Sequence, residues 1–251
     1  LNNLDISKAC SYLQLIDKTQ VVRNHDVMYR CFSDGSARAA CFYRNYGGRT
    51  MPVISSFIEL DGKRLAVTEL GDELFQLDNT QMIVIPPSVE IINDNCFYKC
   101  SWLKEVVFEM KSNLKRIENW AFFESSLRSI RIPESTEVIS SYCFSSCQDL
   151  GEVIFEGNSN LKRIQSMAFL MTDLKSIIIP AKVELIGEDC FYNCRGLREV
   201  IFEENSKLRK IGRDPFANCH QWLKAFVPSS MDETAQNALK CSYKKRVITK
   251  S

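Results

Sequence analysis

The chain has 251 residues, 45% hydrophobic and 25% charged, an ordinary globular balance with ample material for a core. Lys and Arg total 32 against 31 Asp and Glu, so no global field pulls the chain toward nucleic acid or an acidic membrane. No run approaches about 18 uncharged apolar residues, so no segment is expected to insert in a membrane.

The opening Leu1-Asn2-Asn3-Leu4-Asp5 has no basic segment and no apolar run, so it does not read as a signal peptide. Leu4, Ile6, Ala9, Tyr12, Leu13 and Ile16, with Ser7 as a cap, predict a short helix between Leu1 and Asp17. It would shield the first coil; the alternative is a partly ordered tail. Met28–Phe32 and Ala37–Tyr43 flank Asp34-Gly35, which predicts a hairpin. Asn45 to Arg49 is a loop, and Gly47-Gly48 lacks the spacing and the Lys-Ser/Thr of a phosphate-binding loop. Ile54–Leu60 and Leu65–Leu70, around Asp61-Gly62, predict a second hairpin. Phe75 follows closely, the first of a series.

From about Thr80 the sequence repeats. Cys96-Phe97-Tyr98-Lys99-Cys100 returns as Cys143–Cys147 and as Cys190–Cys194, each time 47 residues on. Halfway between lie Ala121-Phe122 and Ala168-Phe169, so the unit is 23 or 24 residues. A second anchor agrees: Leu103-x-x-Val106-x-Phe108, Leu127-x-x-Ile130-x-Ile132, Leu150-x-x-Val153-x-Phe155, Leu174-x-x-Ile177-x-Ile179 and Leu197-x-x-Val200-x-Phe202. Ile83-Val84-Ile85-Pro86 precedes them and a degenerate Leu223-x-x-Phe226 follows. This is the strand signature of a leucine-rich repeat, each unit giving one strand of a parallel sheet. Seven strands at roughly 4.8 Å each make a sheet about 30 Å long. A second inward pair recurs as Val89/Ile92, Leu114/Ile117, Leu161/Ile164, Val183/Ile186 and Leu208/Ile211. One coil cannot bury such anchors alone, whereas stacked coils make one continuous core.

The fold class is therefore an α/β repeat solenoid: a parallel sheet on the concave face, short helices or turns on the convex face, an N-terminal β-hairpin cap and a C-terminal helical cap. The expected divisions are residues 1–78 for the N-terminal capping region, 79–228 for the repeats, and 229–251 for the C-terminal cap and basic tail. Ser230 and Asp232 open a helix running through Lys240, and Lys244-Lys245-Arg246 reads as a solvated run.

Eleven cysteines are present, and Cys96, Cys100, Cys143, Cys147, Cys190 and Cys194 fall in register. In a solenoid they form a column, where Cys packs as a small hydrophobe. The sharper alternative is a metal site, with Cys-x-x-x-Cys on one face of a short helix. It is disfavoured because alternate coils carry Ala in place of the first Cys, and four ligands must converge. Most thiols read as reduced, and no Asn-x-Ser/Thr sequon occurs. No cofactor is expected. The two histidines, His25 and His220, form no catalytic constellation, and neighbouring Cys219 would point away from His220. The chain does not read as an enzyme.

The x positions of each strand point out of the sheet in three columns. The first is Gln81, Lys104, Arg128, Gly151, Lys175, Arg198, Lys224. The second is Met82, Glu105, Ser129, Glu152, Ser176, Glu199, Ala225. The third is Val84, Val107, Arg131, Ile154, Ile178, Ile201, Val227. The third is apolar at six of seven places and predicts an exposed strip able to bind a partner. Strand propensity alone would also favour Ile and Val there. The candidate partner-binding residues are Val107, Arg131, Ile154, Ile178 and Ile201, with Lys104, Arg128, Lys175 and Arg198 alongside. Glu90, Glu137 and Glu184 alternate by coil with Lys115-Arg116, Lys162-Arg163 and Arg209-Lys210, which predicts register control between coils.

Asp34-Gly35-Ser36-Ala37, Asp61-Gly62-Lys63, Val67 to Phe75, and the phrase Ile-Pro-x-x-x-Glu-x-Ile-x-x-x-Cys-Phe-x-x-Cys-x-x-Leu resemble the BspA-like leucine-rich repeat proteins. These abound in trichomonad parasites and some anaerobic bacteria. The resemblance covers roughly residues 28 to 228. It implies a surface or secreted adhesin that binds a host protein. The residues themselves leave open an intracellular, cytoplasmic scaffold that docks a partner protein on the same face.

Overall fold

The computed structural model describes residues 21–24, 27–42, 52–242 and 247–250. The predicted helix between Leu1 and Asp17, the Asn45–Arg49 loop, His25 and Lys244–Arg246 lie outside the described residues. The N-terminal part supplies β1 (Val21–Asn24), β2 (Val27–Cys31), β3 (Ser36–Phe42), β4 (Phe57–Leu60) and β5 (Lys63–Leu70). β2 and β3 pair antiparallel around Asp34-Gly35, where the Asp34 carboxylate accepts hydrogen bonds from the Ser36 N–H and hydroxyl. β4 and β5 pair antiparallel around Asp61-Gly62. Both turn residues take positive φ, 50° and 72°, which a two-residue hairpin turn demands.

The repeats then wind as a succession of three short segments per coil. Four-residue strands come first: β6 (Met82–Ile85), β8 (Glu105–Phe108), β10 (Ser129–Ile132), β12 (Glu152–Phe155), β14 (Ser176–Ile179), β16 (Glu199–Phe202) and the longer β18 (Lys224–Pro228). Two-residue strands follow: β7 (Ile91–Ile92), β9 (Arg116–Ile117), β11 (Val138–Ile139), β13 (Arg163–Ile164), β15 (Leu185–Ile186) and β17 (Lys210–Ile211). The third segment is the turn that carries the Phe.

The expected single sheet of Leu-x-x-Val-x-Phe strands is corrected by the structure. Those strands pair in separate groups: β6 with β8, β10 with β12, and β14 with β16 and β18. The unbroken parallel ladder is built instead by the second inward pairs, β5-β7-β9-β11-β13-β15-β17, with β3, β2 and β1 beyond β5. Proline gives the physical reason. Glu109, Glu156 and Glu203 each donate a backbone N–H to the preceding coil, at Ile85, Ile132 and Ile179. In the coils between, that place holds Pro133 and Pro180, which have no N–H to give to Phe108 or Phe155. Each proline carbonyl instead closes a turn, accepting from Thr136 or Val183.

Of the short helices or turns expected on the convex side, the described coils carry turns. Each stacked Phe is bracketed by two residues of positive φ, two places before and two after it. They are Asn95 and Lys99 around Phe97, Trp120 and Glu124 around Phe122, Tyr142 and Ser146 around Phe144, and Met167 and Met171 around Phe169. Left-handed backbone is unfavourable for such residues, so the stacking must hold it. Phe75, Phe97, Phe122, Phe144, Phe169, Phe191 and Phe216 form one column, with ring centroids 4.9–5.3 Å apart and planes within 8°. Backbone bonds tie the same turns together, as where Phe97 donates to Ala121 and Phe144 to Ala168.

The core fills the space between the three segments. Ile83, Ile92, Phe97, Leu103 and their repeats are almost wholly buried, apart from the half-buried Ile211. Just before the two-residue strands Lys115 pairs with Glu90 and Lys162 with Glu137, each at 2.6 Å. The Lys162 hydrogen bond lowers the Glu137 carboxyl below its ordinary range, and Lys115 on the other side lowers it further. At these exposed positions each pair contributes less than about 1 kcal/mol. Past β18, Asp232 caps α1 (Glu233–Ser242), accepting from the Thr234 and Ala235 N–H groups at 2.9 and 3.2 Å.

Candidate functional site

The four-residue strands present the candidate face. Within each, alternate residues point inward, so Val106, Ile130, Val153, Ile177 and Val200 are buried. Their neighbours Val107, Arg131 and Ile178 are exposed, while Val84, Ile154 and Ile201 are half-buried. Register places these in line. Val84 faces Val107, Arg131 faces Ile154, and Ile178 faces Ile201 on paired strands. Ile178 is 51% exposed, enough to meet a partner without unfolding anything.

The column runs further than the sequence indicated. Val53, 55% exposed, bridges to Val84 at one end. At the other, Ile201 pairs with Phe226, and Phe226 with Ile248 of β19 (Val247–Lys250), a strand parallel to β18. Val227 is fully buried and is corrected out of the column. The last repeat is one residue shorter between its Leu and its strand. Hence Lys224 pairs with Glu199 and falls in the second column, not the first, while Ala225 faces inward beside Val200. Nothing in the degenerate Leu223-x-x-Phe226 reports that slip, and β19 has no repeat signature at all.

Lys104, Arg128, Lys175 and Arg198 are exposed along one margin of the strip. Lys175 is held by Asp173 at 2.5 Å. The opposite margin carries exposed Glu109, Glu134, Glu156 and Glu203. Between the basic margin and the apolar column stand Glu105, Glu152 and Glu199 of the second column, so the charge across the face runs basic, acidic, apolar, acidic. Sequence reading found the basic and apolar columns but missed the acidic margin, which was visible as Glu after Phe108, Phe155 and Phe202.

The cysteine column sits on the far side, under the turns. Cys96, Cys100, Cys143, Cys147, Cys190 and Cys194 are all buried and free. The second thiol of each phrase donates to the Phe carbonyl of the coil before: Cys100 to Phe75 at 2.9 Å, Cys147 to Phe122 at 3.0 Å, and Cys194 to Phe169 at 3.0 Å. Burial pushes Cys96, Cys143 and Cys190 well above the usual thiol value, Cys100 up to about 12 and Cys147 to about 11. Such thiols stay protonated and act as packed donors. Among the described residues no three His, Cys, Asp or Glu side chains gather as a metal would need. His220 accepts the Trp222 N–H through Nδ1 at 3.2 Å, while the Cys219 thiol reaches the Phe191 carbonyl at 3.1 Å.

Solved structures share this architecture. The pneumococcal vaccine antigen PcpA is 15% identical with a TM-score of 0.55, covering 92% of this chain and 99% of its own. A leucine-rich cell surface protein from Faecalibacterium prausnitzii is 17% identical with a TM-score of 0.53, covering 92% and 95%. A leucine-rich repeat protein of T. pallidum is 19% identical with a TM-score of 0.51, covering 92% and 100%. At these identities the likeness is one of fold. Comparison with curated proteins gives no match. The family model for the BspA type leucine-rich repeat region matches residues 68–197 and 162–251, in six copies. With its three-segment coils, stacked Phe column and Phe-x-x-Cys turns, this chain belongs to the BspA-type leucine-rich repeat family.

Proposed function

We propose that the chain is a non-enzymatic binding module that takes a partner protein on the four-residue strands, acting as a cell-surface adhesin or host-interaction protein. Repeat solenoids of this class generally serve protein interaction, and two structural neighbours are a vaccine antigen and a cell surface protein. The observation that carries the reading is the apolar strip through Val107, Ile154, Ile178, Ile201 and Phe226, exposed at Val107 and Ile178 and half-buried at the others. Exposed apolar area of this kind marks interaction surfaces. Ile154→Glu with Ile178→Glu is expected to abolish capture of host surface proteins and leave the melting temperature within about 2 °C. A large loss of stability with binding retained would make the strip structural.

A second reading, an intracellular scaffold using the same face, draws on the eight free cysteines among the described residues. Antibody labelling of intact against permeabilised cells separates the two. Signal on intact cells supports the adhesin, and signal only after permeabilisation supports the scaffold. No helix among the described residues is long and apolar enough to cross a membrane.

In the same reading the terminal elements are caps. β1 to β3 extend the long ladder at one end, β4 pairs with β5 beside it, and α1 lies by the last coil with Ala235 and Leu239 buried. Deleting residues 229–251 is then expected to expose the last coil and drive self-association, read by sedimentation. A truncated chain that stays monomeric would remove the capping role.

A further inference from the structure

Three residues beyond each stacked Phe stands one short polar side chain. In chain order the column reads Asp78, Cys100, Ser125, Cys147, Thr172, Cys194, Cys219. At each step before the last, a thiol neighbours a hydroxyl or a carboxylate. Ser125 Oγ lies 3.2 Å from Cys147 Sγ, and Thr172 Oγ1 lies 3.2 Å from Cys194 Sγ. At the last step alone two cysteines meet.

Both thiols are set the same way. Cys194 Sγ reaches the Phe169 carbonyl at 3.0 Å and Cys219 Sγ the Phe191 carbonyl at 3.1 Å. The turns beneath them are stacked, with the Phe191 and Phe216 rings 5.1 Å apart. A disulfide requires Cα atoms about 4.4–6.8 Å apart, and across these stacked turns the two thiols already lie within hydrogen-bonding reach of each other. Cys194 is fully buried and Cys219 only half-buried, so the pair comes nearest to solvent at Cys219.

We propose that Cys194 and Cys219 are an oxidation site, joined as a disulfide by a two-electron oxidant of the peroxide class. Loss of one proton leaves a thiolate shared by the pair. When it rests on Cys219, that sulfur attacks hydrogen peroxide, the O–O bond breaks, and hydroxide takes the lost proton to leave as water. Cys219 is then a sulfenic acid. The Cys194 sulfur displaces its oxygen: the S–S bond forms, the S–O bond breaks, and the departing hydroxide takes the Cys194 proton. Two thiols have given two electrons, and peroxide has become two waters. At rest the neighbours keep the negative charge on Cys194, so Cys219 attacks in the minor form in which the proton has passed from Cys219 to Cys194. The hydrogen bond to Cys194, then burial, push the Cys219 thiol up. At Cys194 burial pushes up, but hydrogen bonds from Cys219 and Thr172 more than offset it and leave that thiol below its usual value.

The bond would pin the terminal turn, which leads directly into β18, to the coil before it. The test is peroxide treatment of the full chain, alkylation, non-reducing digestion and mass spectrometry. The expected product is a single Cys194–Cys219 link with loss of two hydrogens, together with a melting temperature raised by about 5 °C. Cys219→Ser should fold normally, since Ser125 fills the same place, and should abolish both effects. Thr172→Cys in that background moves the pair one coil along and should link Cys194 there. Oxidation of Cys219 alone, a link between chains, or linkage only in the Thr172→Cys variant overturns the proposal.

Discussion

Phe144→Ala is expected to lower the stability of the solenoid by about 4 kcal/mol, within the range for deleting a buried aromatic side chain. Phe144 is fully buried, with Phe122 and Phe169 stacked at 5.3 Å on either face. Its loss leaves a gap in the middle of the column and removes two aromatic contacts together. The surrounding backbone cannot collapse into it easily. Tyr142 and Ser146 hold positive φ on either side of the ring, and Phe144 donates its N–H to Ala168. Because each coil touches only its neighbours, the damage should also break cooperativity. Urea unfolding should then divide into two transitions. Trp102 and Trp120 report the coils before the gap, and Trp222 those after it, so fluorescence can follow both. Phe123→Ala, which removes a half-exposed ring stacked on Tyr98, should cost about 1 kcal/mol and keep one transition. A single transition in Phe144→Ala, with a loss below about 1 kcal/mol, would mean that the strands and not the rings couple the coils.

The repeat period was legible in the sequence because burial in a solenoid is periodic, and Phe97, Phe122, Phe144, Phe169 and Phe191 mark it without ambiguity. Both N-terminal hairpins were legible from Asp34-Gly35 and Asp61-Gly62, and α1 from Asp232. What failed was the assignment of roles within a coil. The Leu-x-x-Val-x-Phe phrase resembles a strand by propensity, yet Pro133 and Pro180 interrupt its ladder, whereas two-residue pairs too short to register as strands carry the continuous one. Propensity weighs side chains, while ladder continuity is decided by which backbone N–H groups exist. At the candidate site, Val107, Ile154, Ile178 and Ile201 lie where strand alternation puts them. Val53 and Ile248 join through pairings between distant segments, which no local pattern encodes. The turn conformation was hidden for a related reason. Trp120, Tyr142 and Met167 are poor left-handed residues, so local preference points away from the structure that stacking imposes.

Gly187→Ala is expected to cost about 3 kcal/mol, the upper part of the range for overpacking a filled interior. The place it occupies follows the two-residue strand of each coil and elsewhere holds Asn93, Glu118, Ser140 and Gln165. A side chain is therefore compatible with the coil in general, and the requirement for glycine at Gly187 is local. There, an added Cβ would lie 2.2 Å from the Ser166 nitrogen, 2.5 Å from the Gln165 carbonyl carbon and 2.6 Å from the Ser166 Cα. All three are backbone atoms, and none can rotate away as a side chain end would. Relief requires the coil to move off its neighbour, stretching the 2.8 Å bond from the Gly187 N–H to the Ile164 carbonyl. The same approach recurs one coil later, where a Cβ on Gly212 would lie 2.2 Å from the Glu188 nitrogen. The damage should thus appear as faster amide exchange at Gly187 and Ile186, with the coils before Phe144 unaffected. Gly151→Ala is the control: its nearest neighbour would be 3.9 Å away, and its φ is not positive, so the change should be neutral or slightly stabilising. If Gly187→Ala matched Gly151→Ala in both melting temperature and exchange, the coils would have slack that the contacts deny, and close coil approach would have no part in holding the C-terminal half together.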